Sequence, residues 1–82
     1  SNAIRLYPNP VAQSTTTIQL DRAFTSNSTL QVTDLTGRVI SNLVLAAGQT
    51  NVTIKVDGLQ AGIYVLKINN RNNISTKTFI VQ

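Results

Sequence analysis

The 82-residue sequence contains no cysteine, histidine, glutamate, methionine or tryptophan, and these absences exclude several kinds of chemistry. Without cysteine, neither a disulfide nor a thiolate metal site can form. The only side-chain carboxylates belong to Asp21, Asp34 and Asp57. General acid–base catalysis near neutral pH most often uses histidine or a tuned pair of carboxylates, and a serine or threonine nucleophile needs a neighbouring base. The sequence therefore predicts a protein that is not an enzyme, with no catalytic residue, no cofactor and no metal site.

Positive charge is modest and dispersed along the chain. The seven lysine and arginine residues contribute to a net charge of +4, and no two of them are adjacent. A nucleic-acid-binding module would concentrate such residues on one surface and add aromatic side chains for stacking on bases. Only Tyr7, Phe24, Tyr64 and Phe79 are aromatic. We therefore predict no nucleic-acid partner and no small-molecule substrate. The basic residues form either an ordinary solvated surface or a face for an anionic partner such as outer-membrane glycolipid.

The length of 82 residues is sufficient for one small domain. No apolar stretch approaches the roughly 20 residues of a membrane-spanning helix, and no signal-peptide pattern is present. The opening Ser1-Asn2-Ala3 resembles the remnant of a cleaved expression tag. We therefore assign residues 1–3 to that remnant and expect the native domain to occupy residues 4–82.

Hydrophobic alternation with a period of two recurs along the chain, whereas helical periodicity is weak. The clearest example is Val52–Val56, in which Thr53 and Lys55 separate three apolar residues. Proline, glycine and asparagine interrupt such runs at short intervals, for example in Pro8-Asn9-Pro10 and in the predicted hairpin turn Asp34–Gly37. This pattern is typical of short antiparallel strands that are joined by tight turns.

The pattern predicts an all-β fold, a seven-stranded antiparallel immunoglobulin-like β-sandwich without helices. In the last strand we expect Phe79 and Val81 to face the core. The predicted strands are Ile4–Tyr7, Thr15–Leu20, Thr29–Asp34, Arg38–Leu45, Asn51–Val56, Gly62–Asn69 and Ile74–Val81.

The fourth predicted strand has apolar residues on both faces. Under strict alternation, one face contains Val39, Leu43 and Leu45. The opposite face contains Ile40 and Val44. This strand therefore needs either a β-bulge or burial on both sides of its sheet.

Four segments form a recognisable pattern in this order along the chain. They are Leu6–Pro10 (LYPNP), Leu30–Val39 (LQVTDLTGRV), Gly58–Ile68 (GLQAGIYVLKI) and Thr76–Val81 (TKTFIV). Together they extend over nearly the whole chain. The pattern resembles the type A C-terminal sorting domain of the type IX secretion system of Bacteroidetes.

This resemblance implies a function in protein export. In similar proteins, the domain directs an N-terminally fused cargo protein from the periplasm through the outer membrane by way of the type IX translocon. A sortase-type cysteine protease then commonly removes the domain and attaches the cargo to anionic lipopolysaccharide, whereas other cargo is released. We therefore expect this translocon, the protease and the fused cargo domain as partners, and a final location at the cell surface or outside the cell. In similar proteins the scissile bond lies upstream of the Tyr-Pro-Asn-Pro region, so we expect it either to be absent from this chain or to lie in the linker before Ile4.

The resemblance also identifies candidate residues for recognition by the translocon. By position these are Pro8, Pro10, Gly37, Arg38, Gly62, Tyr64, Lys77, Phe79 and Val81. The last three lie in the terminal strand, which matches the region on which export of family members depends most. Each residue also has an ordinary structural explanation, such as close backbone approach at Gly62 or filling of the core by Tyr64.

Two alternatives from other functional classes stay open at this point. A structural or carbohydrate-binding β-sandwich module of a surface enzyme would present exposed aromatic rings for stacking on sugars, and this chain has few aromatic residues. The second alternative is calcium binding by Asp34 or Asp57. Hard cations need clustered oxygen ligands, whereas a turn with glycine close behind explains both aspartates without a metal.

Overall fold

The computed structural model describes residues 3–82, and these residues form seven β-strands without a helix. The seven predicted strands are confirmed, with ends that shift by one residue at five of them. The observed strands are β1 (Ile4–Tyr7), β2 (Thr15–Leu20), β3 (Ser28–Asp34), β4 (Val39–Leu45), β5 (Asn51–Lys55), β6 (Gly62–Asn70) and β7 (Asn73–Val81). Ser1 and Asn2 of the predicted tag remnant lie outside the described residues.

The strands form two antiparallel sheets, in agreement with the predicted immunoglobulin-like sandwich. One sheet has the order β1-β2-β5, and the other has the order β4-β3-β6-β7. Alternate residues of each strand face the space between the sheets, and this space contains the hydrophobic core. The core consists of Leu6, Val11, Ile18, Leu20, Leu30, Val32, Leu45, Ile54, Val56, Tyr64, Leu66, Ile68, Phe79 and Val81. Within residues 3–82, no helix is long and apolar enough to cross a membrane.

The ambiguous fourth strand contains a β-bulge, which was one of the two predicted solutions. Val32 pairs with Ser41, but the next residue of β3, Thr33, pairs with Val39, so Ile40 has no partner in β3. Val39 is 45% exposed, whereas Ile40 packs against the core. The grouping of Val39 with the buried Leu45 is therefore wrong, because the extra residue changes the alternation at this point.

The connectivity places the loops at two ends of the sandwich. At one end lie the β1–β2, β3–β4 and β5–β6 connections together with Gln82, and we call this the C-terminal end. At the other end lie Ile4 and the β2–β3, β4–β5 and β6–β7 connections, and we call this the N-terminal end. This division determines which sequence-predicted residues meet.

Candidate recognition surface at the C-terminal end

Eight of the nine sequence-predicted residues lie at the C-terminal end, although the sequence distributes them over more than 70 positions. Asp34 pairs with Tyr64, which brings the β3–β4 turn with Gly37 and Arg38 to the start of β6. The ninth residue, Lys77, lies farther along β7, opposite Leu66 and exposed to solvent. The structure therefore brings together eight residues that were predicted from separate motifs and leaves Lys77 apart from them.

Tyr64 and Phe79 form the apolar centre of this end. They are cross-strand partners in β6 and β7, with ring centroids 5.9 Å apart and an angle of 28° between the ring planes. The Tyr64 hydroxyl donates a hydrogen bond of 2.7 Å to the carbonyl oxygen of Gln60, so the ring also fixes the β5–β6 loop. Both residues are buried, as is Val81. The predicted inward orientation of Phe79 and Val81 is therefore confirmed, and these side chains hold β7 in place.

Gly62 begins β6 and pairs with Val81. The sequence suggested that glycine is needed here for close backbone approach. This explanation is wrong, because a Cβ atom built at Gly62 would meet no other atom within 4 Å. The backbone conformation explains the glycine instead, because Gly62 has a φ of 155°, which a residue with a side chain rarely adopts.

The segment that follows β1 attaches directly to β7. The N–H group of Ile80 donates to Oδ1 of Asn9 at 3.0 Å, and the N–H group of Val11 donates to the carbonyl oxygen of Ile80 at 2.7 Å. Gln82 donates its N–H group to the carbonyl oxygen of Val11 at 2.9 Å, which completes a parallel bridge between Val11 and Val81. Residues 9–11 therefore cover the outer edge of β7 from Ile80 to Gln82.

The two prolines flank the first of these contacts and are themselves exposed. The Tyr7–Pro8 and Asn9–Pro10 peptide bonds are both cis. The hydroxyl of Thr16, which is buried, donates to the carbonyl oxygen of Pro8 at 2.9 Å and so fixes the segment from the β2 side. Pro8 and Pro10 thus lie on the surface, while Asn9 between them points to β7.

Asp34 organises the β3–β4 turn. Its Oδ1 atom accepts hydrogen bonds from the Thr36 hydroxyl at 2.6 Å, the Thr36 N–H at 2.9 Å and the Arg38 N–H at 3.0 Å. The Thr36 hydroxyl, with smaller effects from the two N–H groups and the Arg38 charge, lowers the pKa of Asp34 below its usual range. Gly37 has a φ of 90°, which a residue with a side chain rarely adopts.

Both carboxylate oxygens of Asp34, the candidate calcium ligand, have partners within the turn. Its Oδ2 atom lies 3.3 Å from Nε of Arg38, so hydrogen-bond donors and a cation already occupy both carboxylate oxygens. No three carboxylate or other metal-ligating side chains group together among residues 3–82. Asp34 therefore acts as a turn residue here, and Arg38 is held at the surface with its guanidinium largely exposed.

The aromatic residues do not form a platform for sugars in the part of the chain that the structure describes. The stacked pair, Tyr64 and Phe79, is buried, and Tyr7 is exposed without an aromatic neighbour. Phe24 is half-buried at the opposite end of the sandwich. This arrangement gives no support to the carbohydrate-binding alternative.

Two residues of this surface escaped prediction from the sequence: Asn9 and Val11. Val11 is completely buried, although its neighbours on both sides are exposed. A single apolar residue directly after a proline-rich turn is the only sequence signal for such a contact, and it has no periodicity that would identify its partner.

Comparison with known proteins agrees with the resemblance that the sequence motifs suggested. The family described as "Secretion system C-terminal sorting domain" matches residues 5–82, which is nearly the whole chain. A comparison with curated proteins gives no significant match.

Proposed function

Because this chain belongs to the family of secretion system C-terminal sorting domains, which are sorting signals for type IX secretion, we propose that the translocon recognises its folded form through β7 and the C-terminal end. The observation that carries the proposal is the attachment of β7 both to its sheet neighbour β6 and to the segment that follows β1 in the other sheet. Tyr64 packs on Phe79 from β6, and Asn9 binds Ile80 from the β1–β2 connection. A translocon that binds β7 only when β6 and the segment after β1 hold it in place would therefore respond to the folded state of the domain.

In this proposal the nine candidate residues have two different roles. The buried or partly buried residues position β7, and they are Gly62, Tyr64, Phe79 and Val81. The exposed residues are available to contact the translocon directly, and they are Pro8, Pro10, Arg38 and Lys77. Gly37 gives the β3–β4 turn the conformation that presents Arg38.

We further propose that a sortase-type cysteine protease removes the domain after its cargo has crossed the periplasm and the outer membrane. Ile4 pairs with Leu20 at the N-terminal end of a sandwich whose longest dimension is 34 Å. The linker before Ile4 therefore starts at the end away from the eight clustered residues. In this proposal the cleaved cargo is then anchored to lipopolysaccharide or released.

A reporter assay in a bacterium with a type IX system tests this function. A fluorescent protein with a signal peptide would be fused to residues 4–82, with and without residues 76–82. We expect surface or medium fluorescence only with the complete domain, and only in a strain with an intact translocon. Export of the shortened fusion at the parent level would refute the proposal.

The deletion also removes Phe79 and Val81 from the core, so it can abolish export by unfolding the domain. A point variant is therefore needed to test the contribution of the Lys77 charge while the domain stays folded. Lys77→Gln leaves the core intact because Lys77 is exposed. We expect it to retain the parent melting temperature and to lose part of the export signal. The matched control is Lys55→Gln, at an exposed lysine of the other sheet, which should be exported like the parent.

A further inference from the structure

The outer edge of β7 is covered over only part of its length. Both backbone groups of Ile80 point away from β6, because its N–H group binds Asn9 and its carbonyl group binds Val11. Backbone groups of successive strand residues point alternately to the two sides of a strand. The N–H and C=O groups of Ile74, Thr76 and Thr78 therefore also point away from β6.

The geometry of the β6–β7 hairpin independently indicates which backbone groups of β7 point away from β6. Its loop contains Arg71 and Asn72, both with positive φ, between the paired residues Asn70 and Asn73. In a two-residue hairpin of this kind the flanking pair exchanges backbone hydrogen bonds, so Asn73 faces β6 and Ile74 faces outward. Within residues 3–82, no hydrogen bond is made to the outward backbone groups of Ile74, Thr76 and Thr78.

A cavity of about 580 Å³ adjoins this open edge at the N-terminal end of the sandwich. Ile74 lines it together with Ala23 and Phe24 from the β2–β3 loop, while Asn70 and Asn73 add polar groups. Ile74 is 55% exposed and forms part of both the edge and the cavity wall. An unpaired strand edge beside a side-chain cavity is the arrangement by which proteins bind extended peptides, with backbone bonds for affinity and the cavity for selectivity.

The charges around the open edge have one sign. β6 and β7 contain Lys67 and Lys77 but no acidic residue. Asp34 is paired with Arg38 in the β3–β4 turn, and Asp21, which precedes the cavity-lining Arg22, is paired with Arg5. Thr76 lies opposite Lys67 and precedes Lys77, so lysines flank the centre of the open edge on both faces of the sheet. The positive potential of these two lysines favours an acidic partner.

We propose that an extended, acidic segment of the translocon binds residues 74–78 as an additional strand and places one side chain in the adjoining cavity. This proposal rests on the proposed sorting function and specifies its contact. Residues 9–11 already occupy the rest of the edge, so the partner strand is short and its position along β7 is fixed. The buried residues of the C-terminal end then act by holding β7 in place for this partner.

The experiment is a pair of proline substitutions in the export reporter. Thr76→Pro removes an outward N–H group and adds bulk at the edge, but it breaks no bond to β6. The matched control is Val44→Pro on the opposite edge strand, β4. Val44 also has an outward N–H group, because its neighbours Leu43 and Leu45 pair with the β3 residues that face β4, and its side chain is 64% exposed.

We expect both variants to fold, with melting temperatures close to that of the parent. Export of Thr76→Pro should fall at least tenfold, whereas export of Val44→Pro should equal that of the parent. Parent-level export of a folded Thr76→Pro, or an equal loss with Val44→Pro, would overturn the proposal while leaving the sorting function intact. Failure of the parent fusion itself to reach the surface would instead refute the sorting function.

A crosslinking measurement keeps the proposal testable if Thr76→Pro does not fold. The chain has no cysteine, so Thr76→Cys and Val44→Cys each provide one labelling position. With a thiol-attached photo-crosslinker, Thr76→Cys should form an adduct with a translocon component, identified by mass spectrometry and by its loss in a translocon-deficient strain. Adducts of equal yield from both positions, or none from Thr76→Cys in an exporting strain, would overturn the proposal.

Discussion

Replacement of Phe79 by alanine tests whether the terminal strand is an integral part of the core. Phe79 is 1% exposed and stacks on Tyr64 at a centroid distance of 5.9 Å. Truncation of a buried phenylalanine to alanine costs about 3–5 kcal/mol, since it loses apolar burial and leaves a cavity. About 0.5–1.5 kcal/mol of this loss belongs to the aromatic pair itself.

This loss is comparable to the whole stability of such a small domain. At about 0.05–0.15 kcal/mol per residue, 82 residues give a free energy of unfolding of roughly 4–12 kcal/mol. One kcal/mol changes the melting temperature of a domain of this size by about 4–8 °C. We therefore expect Phe79→Ala to melt at least about 12 °C below the parent and to be partly or wholly unfolded at growth temperature.

Urea denaturation followed by circular dichroism measures this effect, and two variants delimit it. Phe79→Leu keeps most of the volume but lacks the aromatic pair, so it should lose about 1–1.5 kcal/mol. Ile80→Ala changes the adjacent residue, which is 44% exposed on the outer face, and should cost about 1 kcal/mol or less. A loss below about 1 kcal/mol for Phe79→Ala would refute the reasoning, because β7 would then not be part of the stabilising core.

Three further predictions concern the contacts that hold the C-terminal end together. Asn9→Ala removes the acceptor of the Ile80 N–H group and should cost about 1 kcal/mol, with faster hydrogen exchange of the Ile80 amide by NMR. Tyr64→Phe keeps the stacked ring but loses the bond to Gln60, so urea denaturation should show a loss of about 1 kcal/mol. For Asp34→Asn, the melting temperature should lie below that of the parent at neutral pH, and the difference should shrink in acid.

The sign of the Asp34 prediction follows from its lowered pKa. A carboxylate whose pKa is lower in the folded state stabilises the fold at pH values above its usual, unfolded-state pKa of about 3.9. This contribution disappears as the pH falls through the pKa of the folded state. Melting curves between pH 7 and pH 2 measure the difference. A difference in melting temperature between parent and Asp34→Asn that stays constant over this range would contradict the role of the ionised carboxylate. For Asn9→Ala, an unchanged hydrogen-exchange rate of the Ile80 amide would contradict the role of the Asn9 side chain as its acceptor.

Most of the secondary structure could be predicted from the sequence because the local signals agree with one another. In β5, apolar and polar residues alternate strictly, and Asp57-Gly58 marks the following turn. The Asp34–Gly37 turn was predictable because an aspartate that can bond to the backbone ahead precedes a glycine that tolerates positive φ. At such positions, a few neighbouring residues determine the backbone.

The site could be predicted only in part, because its remaining contacts join distant residues. Asn9 and Ile80 are 71 positions apart, and no local pattern links an asparagine side chain to a backbone N–H at that separation. The bulge at Ile40 depends on the register between β3 and β4, which alternation within one strand does not determine. The position of β7 at the edge of its sheet likewise depends on the order of the strands, which alternation within one strand does not determine.

The parallel bridge between Val11 and Val81 also has a consequence for the time at which the domain matures. Val11 leaves the ribosome near the beginning of the domain, whereas its partners in β7 are synthesised after the other six strands. A chain that terminates before Phe79 leaves Val11 and Tyr64 without their partners and cannot complete the sandwich. Under the proposed recognition of the folded domain, a cargo whose synthesis stops before Phe79 would therefore not be exported.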